Sequence, residues 1–467
     1  MKRATCDSQV EGQEPPAAVQ EVKRAKLEVE HPLSPSQQLV LDKAIAGESF
    51  FFTGAAGTGK SYLLGYIHRA LVKKYGEDAV YITASTGIAA CNIGGTTLHA
   101  FAGIGLGDGN LAEILKDLQS SKPWCRTAVK RWKGTMALII DECSMISPKL
   151  YEKLDKIGSF LRETPTAPFG GIQVILCGDF FQLPPVDRKI DSEGKRKKKD
   201  PEDLEFLFET KTWSRLVENR VYILRDIFRQ TEPVFLSMLD DFRHGNISPQ
   251  SIATFQDRRN ITEAAESLPE DTVRLYSTRK EVDILNFCEM DKIEKEPKVF
   301  TAVDHGEELV VKKMEDHWMA PKTLILKVGA SVMLVKNISF GLGLVNGRTG
   351  RVVKFEEGSG NPVVKFYKGG EHVMGPVKWE LKSGKKVIMS HSQIPLVLSY
   401  AVTIHKSQGM SIENVEINTS KIFEPAQLYT ALSRSTSLNG LFIRGTLPKA
   451  KLTKPNEKVA EWWKSVV

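Results

Sequence analysis

The 467-residue sequence predicts an α/β fold, in two α/β regions with an all-β insertion in the second. Three observations predict it. Continuous apolar runs at SFFFTG (49–54), DAVYITAS (78–85), MALIIDE (136–142) and GIQVILCGD (171–179) read as strands buried on both faces, which marks a parallel sheet. Helical patterns separate them, as in SYLLGYIHRALVKKY (61–75), where Leu63, Leu64, Ile67 and Leu71 recur on one face. Between about 297 and 395 the pattern changes to short strand candidates broken by turn signals.

Residues 1–32 are rich in Glu, Gln, Pro, Lys and Arg, and read as a disordered tail. KR at 2–3 and KRAK at 23–26 form a loose nuclear-import-like pattern within it. The first α/β domain is expected over 33–210, and GKRKKKD (194–200) within it reads as a solvated loop. A second α/β region is expected to begin near 211 and run to 296. In the insertion, 297–395, the strand candidates ASVMLVKN, GRVVKFE, NPVVKFY, EHVMGPVKWEL and KKVIMSH lie between turns at Asn346-Gly347, Gly369-Gly370 and Ser383-Gly384. The α/β pattern returns over 396–447, and 448–467 forms a C-terminal tail or helix.

Hydrophobic content of 41%, charged content of 26% and a net charge of +7 describe a globular chain with a mild basic bias, compatible with a polyanionic partner. Cys6, Cys91, Cys125, Cys143, Cys177 and Cys288 form no CxxC pair, which argues against structural zinc and fits a reducing compartment. Cys143 and Cys177 sit in or beside apolar runs and read as small core residues. No apolar run has the length of a membrane span, and the N-terminus, with Glu11 and Glu14, has no secretory pattern.

GAAGTGKS (54–61) matches G-x-x-x-x-G-K-[ST] in full, between a strand pattern and a helix pattern. In such a loop, Gly54, Ala55, Ala56, Gly57, Thr58 and Gly59 let backbone N–H groups curl around phosphates. Lys60 reaches the β- and γ-phosphates, and Ser61 holds Mg2+. LIIDECSM (138–145) supplies the acidic partner: Asp141 for the metal and Glu142 for the attacking water. In LCGDFFQLPPV (176–186), Gln182 suits a γ-phosphate sensor. DIFRQ and YTALSRSTS offer Arg229 and Arg434 for transition-state charge. Together these residues describe a hydrolase using ATP and Mg2+.

The order of the motifs carries a resemblance. LSPSQQ (33–38), GAAGTGKS, ASTGIAACNIGGTTLHAFAGIG (84–105), IIDECSM, PFGGIQVILCGDFFQLPPV (168–186), FRQ, VTIHKSQGMS and YTALSRS follow one another through most of the chain outside the tails. The sequence resembles the petite-integration-frequency family of superfamily-one DNA helicases, relatives of RecD. The block KLDKIGSFLRETPTAPFGGIQ (153–173) resembles the signature that separates that family from RecD.

The resemblance implies two RecA-like P-loop domains in tandem, with a small wedge inserted at about 104–134 and a Src-homology-type β-barrel at 297–395. It implies that Gln37 reads the adenine edge, although LSPSQQ has Ser36 where an acid is common and leaves Gln38 as the alternative. It implies arginine fingers at Arg229 and Arg434, and Gln408 and Gly409 facing the nucleotide. Thr86, His99, Phe101, Thr403 and His405 would contact single-stranded DNA, Phe101 by stacking on a base unless it simply packs. The implied activity is ATP-driven 5′→3′ unwinding of duplexes, DNA–RNA hybrids, junctions and G-quadruplexes by a monomer. The roles expected are in replication, repair, recombination or telomere maintenance, in the nucleus or alternatively the mitochondrion.

Three other readings remain at this level. An RNA-acting ATPase of the same fold would differ only in reading a 2′-OH. A scaffold with a decayed ATPase is disfavoured by the intact Lys60, Asp141, Glu142, Gln182, Arg229 and Arg434. A small-molecule kinase has no need of the second α/β half. HKSQG (405–409) is a polar knot between apolar runs, and its buried groups need partners.

Overall fold

The computed structural model describes residues 32–105, 107, 109–185, 188–190, 196–198, 203–306, 311, 318, 320–339, 342–344, 346–367, 370–383 and 386–467. The expected N-terminal tail and its basic pairs, apart from Pro32, lie outside them.

The first sheet contains six strands: β1 (Phe50–Gly54), β2 (Val80–Ala84), β3 (Thr96–Thr97), β4 (Ala137–Asp141), β5 (Gln173–Cys177) and β6 (Val221–Leu224). They pair in parallel in the order β3-β2-β4-β5-β1-β6. Its helices include α1 (Pro35–Ala46), α2 (Lys60–Tyr75), α3 (Gly87–Asn92), α4 (Leu98–Ala102), α5 (Pro123–Gly134) and α6 (Pro148–Leu161), whereas α7 (Pro233–His244) packs against the helices Pro249–Ala264 and Gln427–Leu432. The three consecutive phenylalanines of β1 show why its run is unbroken. Phe50 and Phe52 pack with Leu63, Leu64 and Ile67 of α2 on one face, while Phe51 packs with Leu138, Ile140 and Leu176 on the other. All three are fully buried, and each contributes about 1.5–3 kcal/mol of transfer free energy.

The second parallel sheet contains β7 (Val273–Tyr276), β8 (Ala401–Thr403), β9 (Val415–Asn418) and β10 (Leu441–Arg444), in the order β8-β7-β9-β10. Helices α8 (Gln427–Leu432) and α9 (Glu457–Val466) follow in the last part of the chain.

Two expected boundaries move. A start near 211 for the second α/β region is too early, because β6 pairs with β1 from Phe51↔Val221 to Gly54↔Leu224 and so completes the first sheet. Its apolar run, Val221 to Leu224, looks the same whichever sheet receives it. The insertion also runs beyond 395: Leu396–Leu398 pairs antiparallel with Ser331–Leu334, and the parallel sheet resumes only at β8. Of the tail or helix expected over 448–467, the structure forms the helix, with Ala450–Thr453 and Glu457–Val466 both helical. Trp462 of α9 packs on Phe208 at 4.9 Å, Phe180 at 5.2 Å and Phe51 at 6.0 Å between ring centres, covering a face of the first sheet.

Between β7 and β8 the chain builds antiparallel sheets. Five strands lie in the order Gly370–Val373, Pro362–Phe366, Thr349–Phe355, Ser331–Leu334, Leu396–Leu398, around a core that includes Leu334, Val352, Val364 and Phe366. The basic run at 194–200 is not all loop either: Arg196–Lys198 pairs antiparallel with Arg188–Ile190. Lysine and arginine are compatible with a strand, so charge alone did not exclude one. Among the described residues no helix is long and apolar enough to cross a membrane.

Candidate nucleotide site and adjoining clefts

The loop between β1 and α2 is held from three directions. Gly57 and Gly59 have φ of 88° and 76°, the left-handed region that glycine adopts at no steric cost. A Cβ on Gly57 would lie 2.8 Å from Arg229 Cβ and 2.9 Å from Gln230 Oε1, so the loop has no room for a side chain there. Thr58 Oγ1 donates to the Ala55 carbonyl at 3.0 Å. Lys60 Nζ donates to the carbonyls of Gly54 at 2.8 Å and Ala55 at 3.0 Å. From far along the chain, the Tyr429 hydroxyl accepts a 3.0 Å hydrogen bond from the Ala56 N–H.

Gln37 sits beneath this loop. It joins Ser34 in a capping box at the start of α1, and its Nε2 donates to the Thr58 carbonyl at 3.3 Å. Gln38 points away and donates to Asp42 at 2.8 Å.

β4 ends at Asp141, which is buried. Glu142 follows in the left-handed region at φ 49°, and its N–H donates to Asp141 Oδ1 at 2.8 Å. Burial, with the neighbouring Glu142 charge, pushes the Asp141 carboxyl up to about 7. Burial also raises Glu142, against the pull of Lys60 and Arg434. Gln408 Nε2, from the other half of the chain, donates to Glu142 Oε2 at 2.8 Å. Gln408 Oε1 is buried without a partner among the described residues.

These groups open into a cavity of about 350 Å³, lined by Ser61, Asp141, Glu142, Gln408 and Gly409 and, from the insertion, by Arg348. Among the described residues no cluster of three or more His, Cys, Asp or Glu suits a metal ion. Mg2+ needs no such cage, because it is commonly held by one or two carboxylates with water and phosphate oxygens. A desolvated carboxylate and a P-loop hydroxyl lining the same cavity fit that demand, and Ser61 and Asp141 would be its protein ligands.

Both candidate arginines are tied to one residue of the YTALSRS segment. Arg229 Nη1 donates to the Ser433 carbonyl at 3.0 Å, and Arg434 Nη2 donates to Ser433 Oγ at 2.8 Å. Arg434 is almost fully buried, and its Nε donates to the Thr430 carbonyl at 2.9 Å. Burial, then the Arg434 charge, lowers the Arg229 guanidinium to about 9, and burial likewise lowers Arg434.

Gln182 lies apart from the cavity lining. Its Nε2 donates to Asp179 Oδ2 at 3.2 Å, and Asp179 pairs with Arg243 of α7 at 3.0 Å. Burial works to raise the Asp179 carboxyl, but the charges of Arg243 and Lys60 hold it below its usual range. Arg243 is stacked between Phe181 at 4.3 Å and Trp463 of α9 at 4.8 Å.

The five candidate DNA contacts fall in different environments. Thr86 Oγ1 accepts from the Ala89 N–H at 3.2 Å, and Thr86 lines a second cavity of about 930 Å³ with Phe287, Trp318, Lys322 and Lys406. His99 and His405 are half-buried. Thr403 is buried, and its Oγ1 accepts from the Lys406 N–H at 3.2 Å. Phe101 is a correction. It is fully buried, packed at 5.0 Å on Trp132 and 5.1 Å on Tyr81, with Arg131 Nε donating to its carbonyl, so its ring cannot stack on a base. The wedge-region residues Arg131 and Trp132 are used the same way, with Trp132 Nε1 donating to the Ala102 carbonyl at 3.2 Å.

The polar knot resolves into three parts. Lys406 faces the larger cavity, and Gln408 and Gly409 face the smaller. Ser407 is fully buried, and its Oγ donates to the Ile404 carbonyl at 2.8 Å.

Sequence reasoning missed Tyr429, Gln230, Asp179 and Arg243. The first three lie inside quoted motifs, and their polarity within buried segments was a usable signal. Arg243 lies on an ordinary amphipathic helix and carried no signal of its own.

The family model described as PIF1-like helicase matches residues 32–251, and that of the DNA helicase Pif1 2B domain matches 312–355. The ATP-dependent DNA helicase PIF1 of Xenopus laevis is 39% identical over 424 residues, covering 91% of this chain and 63% of the relative. The Homo sapiens protein of that name is 38% identical, covering 93% and 64%. The chain thus spans less than two thirds of these relatives' length.

The crystal structure of Pif1 helicase from Candida albicans superposes with a TM-score of 0.75 at 36% identity, covering 94% of this chain and 100% of that one. Pif1 helicase from Bacteroides in complex with ADP-AlF3 and ssDNA gives 0.65 at 28% identity, covering 93% and 97%. The α/β fold with its parallel sheet resembles these structures, and the chain belongs to the PIF1-like helicase family.

Proposed function

We propose that this protein is an ATP-dependent 5′→3′ DNA helicase built on two RecA-like domains, with a wedge in the first and a small β-barrel inserted in the second. The observation that carries the reading is the meeting of the two halves at one cleft: Gln408, leaving the second sheet, holds Glu142, leaving the first. Closure of such a cleft around ATP couples hydrolysis to relative movement of the halves.

ATP would lie on the P-loop N–H groups with Lys60 at its β- and γ-phosphates. Bound Mg2+ would supply charge neutralisation at those phosphates, held by Ser61 and Asp141. Glu142 orients the attacking water and takes its proton. A carboxylate raised by burial is a stronger base than one in water. Arg229 and Arg434 exchange carbonyl partners for the γ-phosphoryl oxygens as negative charge develops there. Gln182 reaches the site through Asp179, whose carboxylate feels Lys60.

The 930 Å³ cavity between Thr86 and Lys406 suits one nucleic-acid strand, offering lysines to phosphates and the exposed Phe287 to a base. The relatives' description as DNA helicases and the ssDNA-bound Bacteroides structure support DNA as the track. DNA–RNA hybrids, junctions and G-quadruplexes are its proposed substrates, a monomer its form, and the nucleus, or alternatively the mitochondrion, its place.

Unwinding of 5′-tailed, 3′-tailed, forked, hybrid and quadruplex substrates, with and without ATP and with Lys60→Ala as control, tests this. ATP-dependent unwinding of 5′-tailed substrates is expected. Unwinding from 3′ tails alone, or by Lys60→Ala at the wild-type rate, would overturn it.

A further inference from the structure

One peptide unit of the P-loop is held at both ends. The Ala55 carbonyl accepts from Lys60 Nζ at 3.0 Å, and the Ala56 N–H donates to the Tyr429 hydroxyl, also at 3.0 Å. Lys60 is the group that reaches the β- and γ-phosphates in a loop of this kind, so this peptide lies toward the γ end of the cradle. The phenol therefore occupies the neighbourhood a terminal phosphoryl group would enter.

Tyr429 is 4% exposed and belongs to α8, at the far end of the chain from the loop it touches. As an acceptor it satisfies Ala56. Its own proton has no acceptor within hydrogen-bond distance among the described residues. Burial, with Asp179 next in effect, pushes the phenol up to about 12, so it carries that proton at neutral pH. A buried hydroxyl with an unused proton, beside a phosphate cradle, lacks one thing: an anionic oxygen.

We propose that Tyr429 donates a hydrogen bond to the terminal phosphoryl group of a bound nucleoside triphosphate, and so distinguishes the triphosphate from the diphosphate. The inference rests on the reading of the P-loop as an ATP site. In the nucleotide-free protein the phenol caps the Ala56 N–H. A diphosphate leaves that bond intact, because it lacks the oxygen that would replace it. A triphosphate takes the Ala56 N–H for itself and offers the phenol an acceptor. The next residue, Thr430, gives its carbonyl to Arg434 Nε at 2.9 Å. A change of partner at Tyr429 thus acts on the helix that carries the Arg434 contact. Tyr429 would report the γ-phosphate to that arginine.

The test is Tyr429→Phe, which keeps the ring and removes only the hydroxyl. Binding is measured for a non-hydrolysable ATP analogue and for ADP. The analogue's Kd is expected to rise about tenfold while that for ADP stays within about twofold, the loss of one hydrogen bond to a charged acceptor. Equal weakening of both nucleotides would mean that Tyr429 only supports the loop, and no change in either would remove it from the site. Wild-type protein that binds neither nucleotide would overturn the ATP-site reading itself.

A second measurement avoids any dependence on the variant's folding. Fluorotyrosine placed at position 429 alone is expected to show a fluorine resonance shifted by the ATP analogue and unmoved by ADP. The same resonance in both complexes would overturn the proposal.

Discussion

Gln408 and Glu142 are joined by a 2.8 Å hydrogen bond although they lie 266 residues apart and leave different sheets. The carboxylate proposed to activate water is therefore oriented by a side chain of the opposite half. Any opening of the cleft releases it. Gln408→Ala removes a hydrogen bond to a charged group, about 1.5–3 kcal/mol. The expected outcome is a fall of roughly tenfold or more in DNA-stimulated ATP turnover, with nucleotide Kd nearly unchanged. Steady-state kinetics alongside nucleotide titration checks it, and normal DNA stimulation in the variant would separate Gln408 from the coupling.

Arg229→Ala should cut turnover far more than binding. The guanidinium acts on transition-state charge, where an arginine finger contributes about 10³–10⁵ in rate. Single-turnover hydrolysis at saturating ATP is the relevant measurement. A rate near that of the wild type would remove Arg229 from the mechanism.

The buried Asp141 carboxyl makes the metal-free protein sensitive to pH. Its value is raised from the usual 3.8 to about 7 in the folded chain. Below the lower value both states are protonated and nothing is lost. Between the two values the unfolded chain releases the proton while the folded chain keeps it, so stability falls as pH rises through that window. The melting temperature should decline from pH 5 to pH 7.5 in excess of that seen for Asp141→Asn. Mg2+ with ADP should reduce the excess by neutralising the carboxylate. A wild-type profile parallel to that of the variant would count against the raised value.

Phe101 should behave as a core residue. Phe101→Ala is expected to cost about 3–5 kcal/mol of stability, whereas Phe101→Leu should be tolerated, with single-stranded DNA affinity and its salt dependence close to wild type. Chemical denaturation and DNA titration at several salt concentrations distinguish this from a stacking role, which would weaken DNA binding in Phe101→Leu.

The Asp179–Arg243 pair offers a stability cycle. Removing either partner leaves a buried charge uncompensated, at about 3–5 kcal/mol. Asp179→Asn with Arg243→Met should be less harmful together than the sum of the two. Additive losses across the four denaturation curves would show that the charges do not stabilise each other.

Much of this fold and site lies open in the sequence because local chemistry carries it. The P-loop glycines, the unbroken apolar runs and the carboxylates ending β4 each reveal themselves within a few residues. What stays hidden depends on pairing at a distance. Val221 to Leu224 reads as a strand, but only its register against β1 decides which sheet owns it. Phe101 lies among groups suited to phosphate contact, and only Trp132, packed against it from α5, shows that its ring faces inward. Tyr429 lies five residues before Arg434 in a quoted motif, yet its partner is an amide near the other end of the chain.

Helix α9 has a consequence for biosynthesis. Trp462 and Trp463 lie more than 400 residues after Phe51 and complete a face built by Phe51, Phe180 and Phe181. While the ribosome still holds those residues, the N-terminal sheet has strands but lacks part of their apolar cover. The first half to be made is then finished only once the second has followed it, and a nascent chain must wait until then with that surface open, within reach of chaperones.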